Sequence, residues 1–115
     1  MALQGTRRQI GDVIIVDFSG KITLGEGSAT LRKTIRELTE GGDKKILLSL
    51  YDVDYIDSSG IGELVSAYTT VRNAGGELKL LHLTKRVHDI LQITRLFTVF
   101  DVQTEETAAV RSFKA

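Results

Sequence analysis

Cysteine, proline and tryptophan are absent from this 115-residue chain. Without cysteine there can be no thiolate zinc site, no thiol nucleophile and no disulfide framework. Neither sign of charge is in excess, because 15 Lys plus Arg face 15 Asp plus Glu. That balance argues against direct nucleic-acid binding, which normally calls for a basic surplus. Long apolar runs are missing too. The longest, such as Val13-Ile14-Ile15-Val16, fall far short of the roughly 20 residues that cross a bilayer, so no membrane partner is expected. Met1 to Arg8 lead straight into a strand-like segment, without the apolar stretch of a signal peptide. A cytoplasmic location is expected.

The chain is 42% apolar, too rich in such residues to be disordered. At this length it removes roughly two-thirds of its unfolded surface from water, and needs no disulfide or metal to fold. One domain is expected, covering residues 1–115.

The first third reads as β structure. Arg8 to Phe18 holds the β-branched run, with Gly11-Asp12 as a hairpin turn before it. Ser19-Gly20 reads as a second turn, and Lys21-Ile22-Thr23-Leu24 as a short return strand. Gly25 and Gly27 then open a first helix with Ser28 as its candidate N-cap. Leu31, Ile35 and Leu38 share one helical face, and Gly41-Gly42 end the helix. Lys45 to Leu50 is nearly continuous apolar sequence, which fits a strand covered on both faces. A second helix starts at Ser58-Ser59-Gly60, with Ile61, Leu64, Val65, Tyr68 and Val71 as its apolar stripe. Glu77 to Leu83 is the next strand, and Thr84 can cap a third helix carrying Val87, Ile90, Leu91 and Thr94 on one side. Phe97 to Val102 reads as a last strand. Thr104 can cap a final helix, with Glu105 and Glu106 in its first turn and Phe113 as an inner anchor. Strands alternating with helices predict an α/β fold with a mixed, mostly parallel sheet and about four helices.

Most candidate sites reduce to structure. Gly25-Glu26-Gly27 follows a strand and opens a helix, but lacks the third glycine of a dinucleotide fingerprint. His82 and His88 match no zinc spacing. Asp52, Asp54 and Asp57 lack the spacing of a calcium loop and read as solvated acids in a loop. No catalytic residue, cofactor or metal is expected. The informative segment is Val53-Asp54-Tyr55-Ile56-Asp57-Ser58-Ser59-Gly60-Ile61-Gly62. Its two hydroxyls lie where a strand turns into a helix, at the rim where α/β sheets place their sites. One reading makes a serine here only an N-cap. The other makes it a phosphate acceptor. Phosphate would add about −1.5 to −2 charges and three acceptor oxygens. A helix amino terminus tolerates that charge. Asp54, Asp57 and Glu63 would make the rim strongly negative, so a partner packed there would be repelled while the fold survives.

At this segment the sequence resembles the STAS family, most closely its bacterial anti-sigma factor antagonists. Their D-S-[ST]-G-[LI]-G signature is matched by Asp57-Ser58-Ser59-Gly60-Ile61-Gly62. The resemblance runs from about Gly5 to Phe113, and includes Phe18-Ser19-Gly20-Lys21-Ile22, Arg72-Asn73-Ala74-Gly75-Gly76, Arg95-Leu96-Phe97 and Phe100-Asp101. It implies a STAS fold with four helices on a mixed sheet. It also implies that Ser58 is phosphorylated by a partner anti-sigma factor that is itself a serine kinase using ATP and magnesium, and that a PP2C-type phosphatase resets it. In the unphosphorylated form such a protein binds the kinase and frees a sigma factor. Asp57, Ser58, Ser59, Gly60, Ile61 and Gly62 would form the recognition surface, and the chemistry would belong to the kinase. Two departures stand apart from that segment. Thr84-Lys85-Arg86 replaces the proline many members carry at the third helix, and Gly27-Ser28-Ala29 replaces a common Asp-Ala-Ala helix opening. An alternative within the same family is a lone subunit of a lipid-transport ATPase complex or a stress-signalling assembly.

Overall fold

Gly11 and Asp12 turn the chain between two antiparallel strands, β1 (Gln4–Ile10) and β2 (Val13–Ile22). Gly11 takes φ 61°, a left-handed backbone that glycine adopts without a side-chain clash. The computed structural model describes residues 3–113. Beyond the hairpin come α1 (Glu26–Glu40), β3 (Lys45–Ile56), α2 (Ser58–Asn73), β4 (Glu77–Leu81), α3 (Lys85–Ile93), β5 (Val102–Gln103) and α4 (Glu106–Ser112). The sheet order is β1-β2-β3-β4-β5, with β1 antiparallel to β2 and every other neighbouring pair parallel.

The β-branched run supplies both faces of the sheet. Ile14 and Val16 face the main core with Ile46, Leu48 and Leu50 of β3. Leu31, Ile35 and Leu38 of α1, and Ile61, Leu64 and Val71 of α2, cover that face. Val13, Ile15, Leu47 and Leu81 point the other way, under Ala109 of α4 and Phe113 just past its end. Because α4 is short, part of that second face stays open. At the far edge, every residue of β1 is exposed. Arg7 pairs there with Glu37, and Arg8 with Asp17 and Glu106.

Five local expectations are corrected. Ser19-Gly20 is not a turn. β2 continues to Ile22, because pairing with β3 persists through register shifts on either side of that dipeptide. Ser28 does not cap α1. Gly25 holds the N-cap position without a side-chain bond, and the Ser28 hydroxyl donates to the Thr23 carbonyl at 3.0 Å. Asp52 and Asp54 lie on β3, which runs six residues past Leu50 to Ile56, and not in a loop. Phe97 to Phe100 form turns, since Leu96 and Phe97 both donate backbone bonds to Leu91 O; only Val102–Gln103 pairs as a strand. Glu105, not Thr104, caps α4, its carboxylate folding back to accept from the amides of Thr107 and Ala108, each at 2.9 Å. Thr84 does cap α3, accepting from Val87 N at 3.3 Å.

Candidate functional site

β3 delivers the chain to the carboxyl-terminal rim of the parallel strands, and Asp57 takes the first position beyond it. Its backbone is extended, with φ −103° and ψ −175°. This geometry suits an N-cap. Asp57 Oδ1 accepts from Gly60 N at 2.8 Å, and Oδ2 accepts from Leu24 N at 3.0 Å. One carboxylate therefore caps α2 and also holds the loop between β2 and α1 against it. The Gly60 and Leu24 amides, in that order, keep its pKa below the ordinary 3.8, because hydrogen bonds to a charged form favour it.

With the cap supplied by Asp57, neither serine is needed for it. Ser58 is exposed and its hydroxyl forms no hydrogen bond among the described residues, while Ser59 is half-buried. Gly60 is buried under β2: a Cβ built there would lie 2.0 Å from the Ile22 carbonyl oxygen and 2.7 Å from Ile56 Cγ1. Gly62 differs. It is exposed, and a Cβ there would meet nothing within 4 Å. Ile61 is buried and anchors the first turn of the helix.

Residues distant in sequence complete the rim. Leu24 is 78% exposed beside Asp57. Arg32 of α1 pairs with Glu63 of α2 at 2.8 Å. A surface hollow of about 430 Å³ is lined by Leu24, Gly25, Arg32, Ser59, Gly62 and Glu63. Tyr55, just before the turn, has Lys21 Nζ 5.8 Å and the Arg86 guanidinium 5.4 Å from its ring centre. The rim thus mixes acids with cations and is not uniformly negative. Leu24, Arg32 and Arg86 gave no sequence signal of belonging here; only the sheet order and the Asp57 bridge bring them together.

The two histidines lie away from this rim and from each other. His82 meets Tyr51 edge-on, and His88 meets Phe97 edge-on. Among the described residues no group of three or more His, Cys, Asp or Glu converges to hold a metal, and no helix is long and apolar enough to cross a membrane.

Residues 6–109 match the STAS domain family model. The chain belongs to the STAS domain family. This STAS domain is 31% identical over 98 residues to the anti-sigma-B factor antagonist of Bacillus subtilis (strain 168), covering 85% of this chain and 88% of that one. The solved anti-sigma factor antagonist from Mycobacterium paratuberculosis superimposes with a TM-score of 0.85 at 16% identity, over 99% of this chain and 96% of that one. The Bacillus cell fate determinant SpoIIAA, solved in its phosphorylated form, gives 0.70 at 18% identity, over 94% and 98%. At these identities the likeness to solved structures is one of fold. The sequence match to the Bacillus subtilis protein sets the chain in the anti-sigma factor antagonist family.

Proposed function

We propose that the chain, acting as a single cytoplasmic domain over residues 1–115, binds an anti-sigma factor that is also a serine kinase, and that phosphorylation of Ser58 ends that binding. The observation that carries this reading is the free, exposed Ser58 hydroxyl at the mouth of α2, where Asp57 already performs the capping. The kinase would transfer the γ-phosphoryl group of ATP to Ser58 Oγ, releasing ADP, with the hydroxyl proton taken by a base of the kinase. Asp57, Ser59, Gly60, Ile61 and Gly62 shape the surface around the acceptor and supply no catalyst. While bound, the kinase leaves its sigma factor free. The phosphate places about −1.5 to −2 charges within the contact, beside the carboxylates of Asp54 and Asp57, and a docked surface is then repelled. A PP2C-type phosphatase would restore the hydroxyl.

Gly62 supports the same surface. A glycine inside a helix costs about 1 kcal/mol relative to alanine, and nothing in the fold requires it here. Close approach of a partner backbone would.

The test is incubation with the cognate kinase and ATP, followed by mass spectrometry and a binding titration. The wild-type chain should gain one phosphate on Ser58. Ser58→Ala should bind the kinase and gain none. Ser58→Asp should bind at least tenfold more weakly. Tight kinase binding by Ser58→Asp would overturn the charge switch, and capture of a transporter ATPase in place of a kinase would move the chain to the transport branch of the family.

A further inference from the structure

The open part of the second sheet face holds a pocket remote from the docking segment in chemistry and in layer. It measures about 290 Å³, and Asp17, Ser49, Tyr51, Asp52, His82 and Glu106 line it. Its position follows from strand alternation. Ser49 lies two residues beyond Leu47, which is buried under α4, and pairs in register with Asp17 and Leu81. Where α4 ends its cover, the strands carry polar groups.

A bulge builds the wall. Asp17 pairs with Ser49, but Ser19 pairs with Asp52, so β3 carries an extra residue at this point. Bulges re-aim side chains in this way and recur beside binding sites. The opposite wall is His82, a non-glycine residue at φ 57°. Such a backbone is strained and persists only where its surroundings hold it. Its amide donates to Gln103 O at 3.1 Å, and its ring stands edge-on to Tyr51 at 5.8 Å. Tyr51 is 69% exposed.

The floor supplies the second, independent observation. Ser49 is only 6% exposed, yet its hydroxyl has no hydrogen-bond partner among the described residues. Every fully enclosed side-chain polar atom among them is paired, so the Ser49 oxygen opens into the hollow. An unpaired hydroxyl at the base of a depression is a group that a ligand completes.

Charge decides the ligand's sign. Asp17, Asp52 and Glu106 contribute carboxylates; Arg8 pairs with two of them, and His82 also acts electrostatically on Glu106. The Arg8 guanidinium donates to Asp17 at 2.6 and 3.1 Å and to Glu106 at 2.7 and 3.2 Å. Asp52 is left without an ion pair. The arrangement already accommodates one planar cation from its own chain, and leaves a second carboxylate, a hydroxyl acceptor and an aromatic face for another. Cations are drawn to such ring faces. We infer that this pocket binds a small organic cation bearing a single ammonium or guanidinium group, with Asp52 as counter-ion, the Ser49 oxygen as acceptor and the Tyr51 ring packed on the ligand's stem. The volume lies at the small end of ligand sites, which suits a free amine.

The test uses the full chain and no kinase, so its outcome is independent of the phosphorylation reading. n-Butylammonium, n-propylammonium and methylguanidinium are titrated into isotope-labelled protein, with propionate as the anionic control. Saturable amide shifts are expected at Ser49, Tyr51, Asp52 and His82 with the cations, and none with propionate. Asp52→Asn and Ser49→Ala should each weaken the saturation at least tenfold while leaving the rest of the spectrum in place. Linear, non-saturating shifts would overturn the inference, as would equal binding by Asp52→Asn. Shifts given by capped arginine or lysine amides but not by the free amines would also overturn it, assigning the pocket to a basic side chain of a partner protein.

Discussion

The two glycines of the signature do different work, although they sit two residues apart on the same helix. Gly60 exists because β2 passes against it, and Gly62 has open space around its α-carbon. Gly60→Ala should destabilise the fold by about 3 kcal/mol, the upper end of the roughly 1–3 kcal/mol typical of overpacked cores. Gly62→Ala should stabilise it by about 0.5–1 kcal/mol through helix propensity. Urea unfolding of the two variants reads both signs. Asp57 makes a second residue-scale prediction. Its folded pKa lies below its ordinary value, so its contribution is complete above the usual carboxylate range. That contribution disappears as pH falls through the lowered folded value. Asp57→Asn should lower stability at neutral pH and flatten the loss on the acid side, as followed by unfolding midpoints from neutral pH downward. Asp57, Ser58 and Ser59 are all capping residues by type, so the sequence left two uses open for the hydroxyls. The choice depends on β3 reaching Ile56 and on the Leu24 amide lying across from Asp57. Neither fact is local.

Among the elements, α4 has the least apolar cover and leans on one lysine. Lys79 of β4, 6% exposed, donates to Ser112 O at 2.9 Å and to Ser112 Oγ at 2.8 Å, and pairs with Asp101 at 3.1 Å. Its ammonium also lies 4.9 Å from the centre of the Phe113 ring. Lys79→Met keeps the stem and removes those bonds. It should cost about 2 kcal/mol, the scale of hydrogen bonds made by charged groups. Hydrogen exchange should show α4 amides losing protection before those of α2. The elements that were legible carried strong periodicity. Leu31, Ile35 and Leu38 marked the inner face of α1, and the apolar run from Ile46 to Leu50 marked a strand buried on both sides. The Phe97–Val102 segment has similar apolar content but folds as turns. Phe100 is drawn into the core against Tyr68, their ring centres 5.7 Å apart, and only Val102–Gln103 reaches β4. Tertiary packing outweighed strand propensity there. Lys79 carries no signal of its role in the sequence, because its partners lie more than twenty residues away along the chain.

For the molecule as a whole, the sheet and its helices form a frame that a charge on the rim need not disturb. Ser58 lies in the first turn of α2, where an anion meets the positive end of the helix dipole. Ser58→Asp should therefore keep the native circular dichroism spectrum and an unfolding free energy within about 1 kcal/mol of wild type. A collapse of stability would show that the substitution acts through unfolding and not through docking. The topology was readable from the order of strand-like and helix-like segments. The composite surface was not, because Leu24, Arg32 and Arg86 join it only once the strands are laid side by side. The other end of the sheet carries its own hazard. β1 offers unpaired backbone groups along seven exposed residues, and its guard is a pair of arginines tethered to Glu37, Asp17 and Glu106. Replacing Arg7 and Arg8 with valine would leave a flat, uncharged border that templates further strands, and light scattering should then record filamentous aggregates growing from natively folded chains.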